Sequence, residues 1–321
     1  MSNTSALNVF IIGASTTAGR EAVRQFSARG HKVTGVTDSS QGGAQVRQDG
    51  GLPAFSNPNR LGELKSMLHM GPYDVLVHMG TQAAHSFPSR KTDWSATNEA
   101  IVTGTAAALE AAASSGVKFI VYASYAFLYG NMHGETVTEE SEAHDLDPAF
   151  KAALRAEKAV IGHSVPGCVL RAGIVYSSED AGAAALSEDV LRGRSIYTGD
   201  SHNVLNWVHA ADLASAVVLA AEQQPAGELF NIVDDHPVSA AAFADAMGTG
   251  LGLGAVNRQS IPGFALPMMT TEMQRAILES SARASNAKAK QALGWKLKYP
   301  SYQSGMEQTL LGWRAGQAVK G

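Results

Sequence analysis

The fold is decided by the stretch Asn8-Val9-Phe10-Ile11-Ile12-Gly13-Ala14-Ser15-Thr16-Thr17-Ala18-Gly19. A short apolar run, Val9–Ile12, reads as a buried strand. It feeds a glycine-bearing turn and then a segment, Thr17–Arg29, with Ala18, Ala22, Val23 and Phe26 at helical spacing. A strand, a tight turn and a helix in that order aim unpaired backbone N–H groups and the positive helix end at one point. That point suits the pyrophosphate of a dinucleotide. Gly13 and Gly19 take the outer glycine positions, with Ser15 and Ala18 between them. The middle glycine, which normally lets the backbone approach the phosphates, is replaced by Thr16 or Thr17. A Thr hydroxyl there is expected to donate to a phosphate oxygen.

Working outward, His31–Thr37 reads as a second strand and is followed by Asp38 and Ser39. An acid at this point binds the ribose hydroxyls of NAD and repels the 2′-phosphate of NADP, so NAD is the expected cofactor and NADP the less favoured one. Asp38 also suits a plain turn before Ser39-Ser40. Further strands are expected at Asp74–Met79, Val117–Ala123 and Gly167–Arg171. Helices are expected at Leu61–Leu68, Thr97–Ser114 and Pro148–Gly162, the last opening on a proline. Strands separated by helices give an α/β fold, a Rossmann-type doubly wound parallel sheet. Helices dominate after about residue 175: Ala210–Glu222, Ser239–Met247, Thr271–Glu279 and Asn286–Leu293. The expected division is a nucleotide-binding domain over 1–175, whose sheet can take later strands, and a smaller C-terminal substrate lobe over 176–321.

Composition narrows the function classes. The 321 residues carry a net charge of −4 with no basic run, which argues against nucleic acid as a partner. Apolar residues make up 45%, enough for a large core. The single cysteine, Cys168, sits in an apolar run and reads as a buried thiol in a reducing, cytoplasmic setting. No apolar run approaches the ~20 residues of a membrane span, and no secretory signal is evident.

A set of ordered motifs then resembles the extended short-chain dehydrogenase/reductase (SDR) family, which includes nucleotide-sugar epimerases and dehydratases. Asp74–Gln82 looks like its "DVVIHLAA" strand. Thr97-Asn98, Gly104-Thr105 and Leu109–Ala112 resemble "NxxGTxxLLEAA". Val121–Gly130 resembles "VYxSSxxVYG", and Val169–Tyr176 resembles "VLRPGxVYG". Asn206–Ala214 is similar to "FVHVDDLA", Gly227–Ile232 to "GEVYNI", and Leu293-Gly294-Trp295 to the closing "LGW". The resemblance implies an NAD-dependent enzyme acting on a small carbonyl or hydroxyl substrate. It also implies that Met79, Gly80, Thr81, Asn98, Ala123, Ala172 and Gly173 line the cofactor. Family members often pair through the helices matching Thr97–Ser114 and Pro148–Gly162, so a homodimer is expected there.

The departures bear on mechanism. The family's catalytic Ser, Tyr and Lys positions align with Tyr125, Ala149 and Ala153. Alanine neither donates nor accepts a proton. Tyr125 and, one residue early, Ser124 are the remaining catalytic candidates, and without the Lys the phenol is expected to keep a pKa near ~10. Tyr129 reads as packing. The stretch Asn131–Asp147, with His133, Glu135, His144 and Asp145, reads as a solvated acidic loop over the cleft with no metal-ligand spacing. His78 and His209 read as satisfied structural histidines. Arg192 and Arg194 suit either an anionic substrate or solvent. A non-catalytic dinucleotide sensor or scaffold is the alternative to an enzyme.

Overall fold

A computed structural model describes residues 5–80, 94–142, 148–197, 200, 202–259, 264–265, 268 and 272–318. Seven parallel strands form one sheet: β1 (Asn8–Ile12), β2 (Lys32–Thr37), β3 (Leu52–Phe55), β4 (Val75–His78), β5 (Phe119–Tyr125), β6 (Gly167–Ala172) and β7 (Leu229–Ile232). Their spatial order is β7-β6-β5-β4-β1-β2-β3. The chain leaves β1 in one direction to build β2 and β3, then returns to β1's other side to build β4 to β7. The reversal lies between β1 and β4, where Ile12 pairs with His78 at the carboxyl ends of both strands. Such a reversal opens a crevice above the strand ends, and ligands bind there in folds of this kind.

Helices cover both faces, as the continuous apolar strands require. Val9, Ile11, Val75, Val77, Val121 and Cys168 bury against α1 (Thr17–Ala28) on one face. Phe10, Ile12, Leu76, Ile120, Tyr122 and Val169 bury on the other, which carries α3 (Leu61–His69), α4 (Thr105–Ser115) and α5 (Pro148–Ile161), while α2 (Ser40–Gln48) joins β2 to β3. The helix ahead of α4 (Trp94–Glu99) reaches it through a π-helical turn at Ala100–Gly104. Two elements carry little signal in the sequence. Ser40–Gln48 is legible there only as a turn, and β3 is short with one proline. Late chain also returns to the sheet: α6 (Ala210–Gln223) packs on α1 and β7 extends the far edge.

Outside the main sheet, later parts of the chain gather around an aromatic stack. Trp207 and Phe243 lie face to face at 3.8 Å and 3°, with Tyr176 edge-on to both. Among the described residues, three two-stranded ribbons lie outside the main sheet. One corrects the loop expected at Asn131–Asp147: Asn131–Val137 is a strand paired in parallel with Ser281–Ala284. His133 and Glu135 are exposed on it, while His144 and Asp145 lie outside the described residues. Two residues past β7 stands Asp234, 2% exposed. Its Oδ1 accepts from the His236 amide at 3.0 Å, and its Oδ2 meets no partner among the described residues. Burial, with Asp235 and Asp212 adding repulsion, pushes this carboxyl up to about 8.

Candidate functional site

The glycine turn is built as tightly as its sequence suggests. Gly13 has φ +82°, and a Cβ on it would stand 2.7 Å from the Gly80 carbonyl oxygen. A Cβ on Gly19 would stand 2.0 Å from the Gly13 carbonyl oxygen, so α1 reaches the end of β1 only because residue 19 has no side chain. Thr16 is the N-cap of α1. Its hydroxyl donates to the Gly13 carbonyl at 2.8 Å and accepts from the Gly19 amide at 3.0 Å. Thr17 is buried and its hydroxyl turns to the Glu179 carbonyl at 3.4 Å. Both hydroxyls donate to backbone carbonyls, a different use from the phosphate contact expected of a threonine in place of the middle glycine. What the turn presents instead is backbone: first-turn amides of a helix have no intrahelical carbonyl to bond, and of those in α1 the Gly19 amide is taken by the Thr16 hydroxyl. Ser15 is exposed and Ala18 buried.

These residues wall a cleft of about 220 Å³ at the sheet's reversal point, bounded by Gly13, Ser15, Thr16, Asp38, His78 and Gly80. Asp38 stands exposed at the end of β2 and borders it. Ser39 sits differently: its hydroxyl accepts from the Gly42 amide at 3.1 Å and caps α2. Met79 is buried in the core, its amide bonded to the Ile12 carbonyl. Thr81 lies outside the described residues. Asn98 is on the exposed side of its helix, while Thr97 beside it is buried. Ala123 and Ala172 are buried in β5 and β6. The Gly173 amide donates to the Ile232 carbonyl, and a Cβ there would meet the Asn206 carbonyl oxygen at 2.8 Å. The glycine turn, Asp38, His78 and Gly80 therefore converge on one cleft; Asn98, Ala123, Ala172 and Gly173 do not line it.

His78 is where the sequence reading needs amending. Its Nδ1 accepts from the Gly80 amide at 3.0 Å, so the proton of the neutral ring sits on Nε2. Burial lowers its pKa to about 4 and keeps it neutral. Nε2 has no partner among the described residues, so the histidine is only half satisfied. Asn59, which the sequence reading passed over, borders the same cleft with a buried Oδ1 that no described residue partners. Only its place in a turn after β3, Asn57-Pro58-Asn59, pointed to it.

At the end of β5 the two catalytic candidates part company. Ser124 is buried, and its hydroxyl donates to Glu157 Oε1 at 2.5 Å. Arg171 closes on the same carboxylate, with Nη2 to Oε2 at 2.7 Å and Nε to Oε1 at 3.0 Å. The guanidinium lies 4.7 Å over the Tyr129 ring, whose hydroxyl donates to Asn231 Oδ1 at 2.9 Å. This buried network ties β5, α5, β6 and β7 together beneath the position of Tyr125. Tyr125 itself is buried, stacked on Phe127 at 5.1 Å and 11°. Burial, and then the neighbouring Tyr122 and Glu157, raise its pKa well above 10, so the phenol keeps its proton at neutral pH. Ala153 is buried on the face of α5 that meets this region, and Phe150 beside it tilts against Phe127 at 4.9 Å.

The remaining candidates are structural or solvated. His209 caps α6 through Nδ1, and its Nε2 meets Gln308 at 3.1 Å. Arg192 and Arg194 are exposed and paired with Glu188 and Asp189. Burial raises the Cys168 thiol far above its ordinary range. Among the described residues no group of His, Cys, Asp and Glu could hold a metal ion, and no helix is long and apolar enough to cross a membrane.

Comparison with known proteins agrees with this architecture. The chain is 27% identical over 312 residues to a 3-diazoavenalumate denitrifying reductase of a Streptomyces species, covering 94% of this chain and 99% of that one. It is 27% identical over 248 residues to a 4-hydroxy-2-methyl-3-oxo-4-farnesyl-3,4-dihydroquinoline-1-oxide ketoreductase of Stigmatella aurantiaca, covering 74% and 71% of the two chains. The UDP-glucose 4-epimerase of Thermus thermophilus, solved as a complex with NAD, shares the fold at a TM-score of 0.79 and 21% identity, over 96% of this chain and 99% of that one. The NAD dependent epimerase/dehydratase family matches residues 9–233. With 225 of 321 residues matched in this way, and the seven-stranded sheet lying almost wholly within them, the chain belongs to the NAD dependent epimerase/dehydratase family.

Proposed function

We propose that the chain is an NAD(H)-dependent oxidoreductase of a small carbonyl or hydroxyl substrate that works without the Ser/Tyr/Lys set of its family. The observation that carries the cofactor half is the cleft itself. Two glycines that tolerate no Cβ hold the amides of α1 at the switch point, and Asp38 stands where the ribose is expected. Ser15, Thr16, Thr17, Ala18 and Gly80 would surround the pyrophosphate through backbone. Thr81, Asn98, Ala123, Ala172 and Gly173 remain proposals for the nicotinamide half. NAD, when bound, supplies or accepts the hydride. The exposed carboxylate of Asp38 disfavours a 2′-phosphate and with it NADP.

The protein's own contribution to the proton is assigned to Tyr125. A phenol held protonated by burial is fitted to donate a hydrogen bond or a proton, not to act as a base. Ser124 positions Glu157 and Arg171 beneath it. The names of two relatives, both reductases, support reduction as the direction of reaction. A second reading is favoured by the first of those names together with Ala149 and Ala153. An acceptor such as an aryl diazonium takes a hydride and then loses dinitrogen without any proton from the enzyme. NADH oxidation measured against a carbonyl panel and an aryl diazonium, in wild type and Tyr125→Phe, separates the two. A drop of at least ~10²-fold with the carbonyl assigns Tyr125 as donor. Unchanged turnover removes that role.

The same reading extends to a homodimer. An open groove of about 430 Å³ runs between α4 and α5, lined by Ile101, Val102, Leu109, Ala152 and Ala156. Val102 is half exposed, and Glu110 and Arg155 carry opposite charges on the rim. A two-fold related copy would match both features, and sedimentation of wild type against Val102→Glu tests it.

A further inference from the structure

Arg20 and Arg24 lie one turn apart on α1, the helix that opens at the cofactor cleft. Both reach Glu179, which stands 155 residues beyond Arg24 in the chain. Arg20 Nη1 lies 3.0 Å from Glu179 Oε2, and Arg24 Nη2 donates to Oε1 at 2.9 Å and to Oε2 at 2.8 Å. The Thr17 hydroxyl adds a contact to the Glu179 carbonyl at 3.4 Å. Neither arginine depends on Glu179 for a counter-charge. Arg20 grips both oxygens of Asp49, at 2.7 and 3.1 Å, and Arg24 holds Asp49 at 2.7 Å and Glu21 at 3.1 Å. Asp49 closes α2 and Glu21 is part of α1 itself. What Glu179 adds is therefore a link from α1 to much later chain. The far end of that link is tightly held. Glu179 sits in the turn Ser177–Asp180, where the Asp180 amide donates to the Ser177 carbonyl and the Glu179 amide to the Ser177 hydroxyl, each at 3.2 Å. The turn joins the strand Ile174–Tyr176 to the helix Ala181–Leu191, which Asp180 caps by accepting from the Ala183 amide at 2.7 Å. The last helix, Tyr302–Ala318, packs on the same turn. Trp313 Nε1 donates to the Ser178 carbonyl at 2.8 Å, and a Cβ on Gly312 would stand 2.5 Å from the Ser178 hydroxyl oxygen. Parts packed this closely transmit a displacement and do not absorb it.

We propose that Glu179 is a positioning residue that couples occupancy of the cofactor cleft to the Ser177–Asp180 turn and, through Ser178, to the last helix. A dinucleotide bound at the first turn of α1 fixes the placement of that helix. The two guanidiniums ride on the helix and carry the Glu179 carboxylate with them. Each pair taken alone is worth little, since the Arg24 and Glu179 side chains are 34% and 40% exposed. Two guanidiniums closing on one carboxylate nevertheless fix its direction, which is what a link requires. Coupling of this kind is reciprocal, so whatever displaces the turn changes cofactor affinity by the same factor. The coupling rests on the cofactor reading above and assigns a role to residues outside the cleft.

The test uses the whole protein, labelled with fluorotryptophan and titrated with NAD⁺ by fluorine NMR and by calorimetry. The chain has four tryptophans, and Trp313→Phe identifies the resonance that reports on the turn. In wild type the Trp313 resonance is expected to move as NAD⁺ saturates the protein. Glu179→Gln cuts the link while both arginines keep their other partners. It should bind NAD⁺ about threefold more weakly, with the Trp313 response largely lost. Glu21→Gln takes a carboxylate from the same Arg24 without touching the link, and should keep the full response. A wild type that binds NAD⁺ while the Trp313 resonance stays fixed overturns the proposal. A full response in Glu179→Gln overturns it too. Loss of the response in both variants also overturns it, because the cause is then the placement of Arg24 and not the link. Wild type that binds no NAD⁺ in calorimetry removes the cofactor reading and this coupling with it, an outcome distinct from the other three. Should Glu179→Gln melt early, wild type in ~1 M sodium chloride decides the matter: screening of the half-exposed pairs should shrink the Trp313 response at saturating NAD⁺, and an unchanged response overturns the proposal.

Discussion

Asp234 makes a quantitative claim about the folded state. Its carboxyl is buried with one oxygen unpartnered among the described residues, and its pKa is pushed up from 3.8 to about 8. The unfolded chain releases this proton near pH 4, whereas the native chain holds it to about pH 8. Between those values the native state binds one more proton, so stability falls as pH rises, by about 1.4 kcal/mol per pH unit. The contribution is fully present below pH 4 and is lost on passing pH 8. The ceiling over the whole interval is about 6 kcal/mol. Asp234→Asn removes the titration and keeps an oxygen for the His236 amide. Its extra N–H adds a pH-independent cost of about 1–3 kcal/mol. Urea unfolding at pH 5, 6, 7 and 8 reads the difference between variant and wild type. The variant should gain about 4 kcal/mol relative to wild type from pH 5 to pH 8, whatever the offset at pH 5. Parallel curves for the two proteins would refute the argument, because they would show Asp234 titrating alike in both states.

Asp38→Arg should shift relative affinity from NAD⁺ toward NADP⁺ in calorimetry; unchanged relative affinities would remove Asp38 from the ribose site. Gly19→Ala drives a methyl to 2.0 Å from the Gly13 carbonyl oxygen and should abolish NAD⁺ binding while lowering stability by about 1–3 kcal/mol, read by titration and by chemical unfolding. Glu157→Ala strips the buried Arg171 of its counter-charge and should cost about 3–5 kcal/mol, whereas replacing both residues by apolar ones of similar volume should cost far less.

The parts of the molecule legible in the sequence are those with a strong local cause. The strand-turn-helix at Asn8–Gly19 was readable because apolar periodicity and two obligatory glycines agree. The helix at Pro148–Ile161 was readable from its proline and its amphipathic spacing. The strand at Asn131–Val137 was not, since its residues are polar and half exposed and its pairing with Ser281–Ala284 joins chain about 150 residues distant. Site chemistry divides the same way. Asp38 follows from position, but the direction of a hydroxyl does not: Thr16 and Ser39 both cap helices, a use equally favoured by their side chains. His78 read as core because a histidine in an apolar strand usually is. That one nitrogen is taken while the other is buried without a partner among the described residues depends on the Gly80 turn, which no spacing rule reports.

The π-helical turn at Ala100–Gly104 acts as a phase adjuster. A turn of this kind holds one residue more than an α-turn, and one residue corresponds to about 100° of rotation. Everything downstream in α4 is clocked by that surplus residue. Ala107, Ala108, Ala111 and Ala112 face the core because it is there. A single deletion in Ala100–Gly104 would swing those alanines toward solvent and bring Ala106, Glu110 and Ala113, which now border the groove between α4 and α5, round toward the sheet. Ala100 borders the cleft while Ile101 and Val102 border the groove, so both spaces take their shape from one setting of the helix.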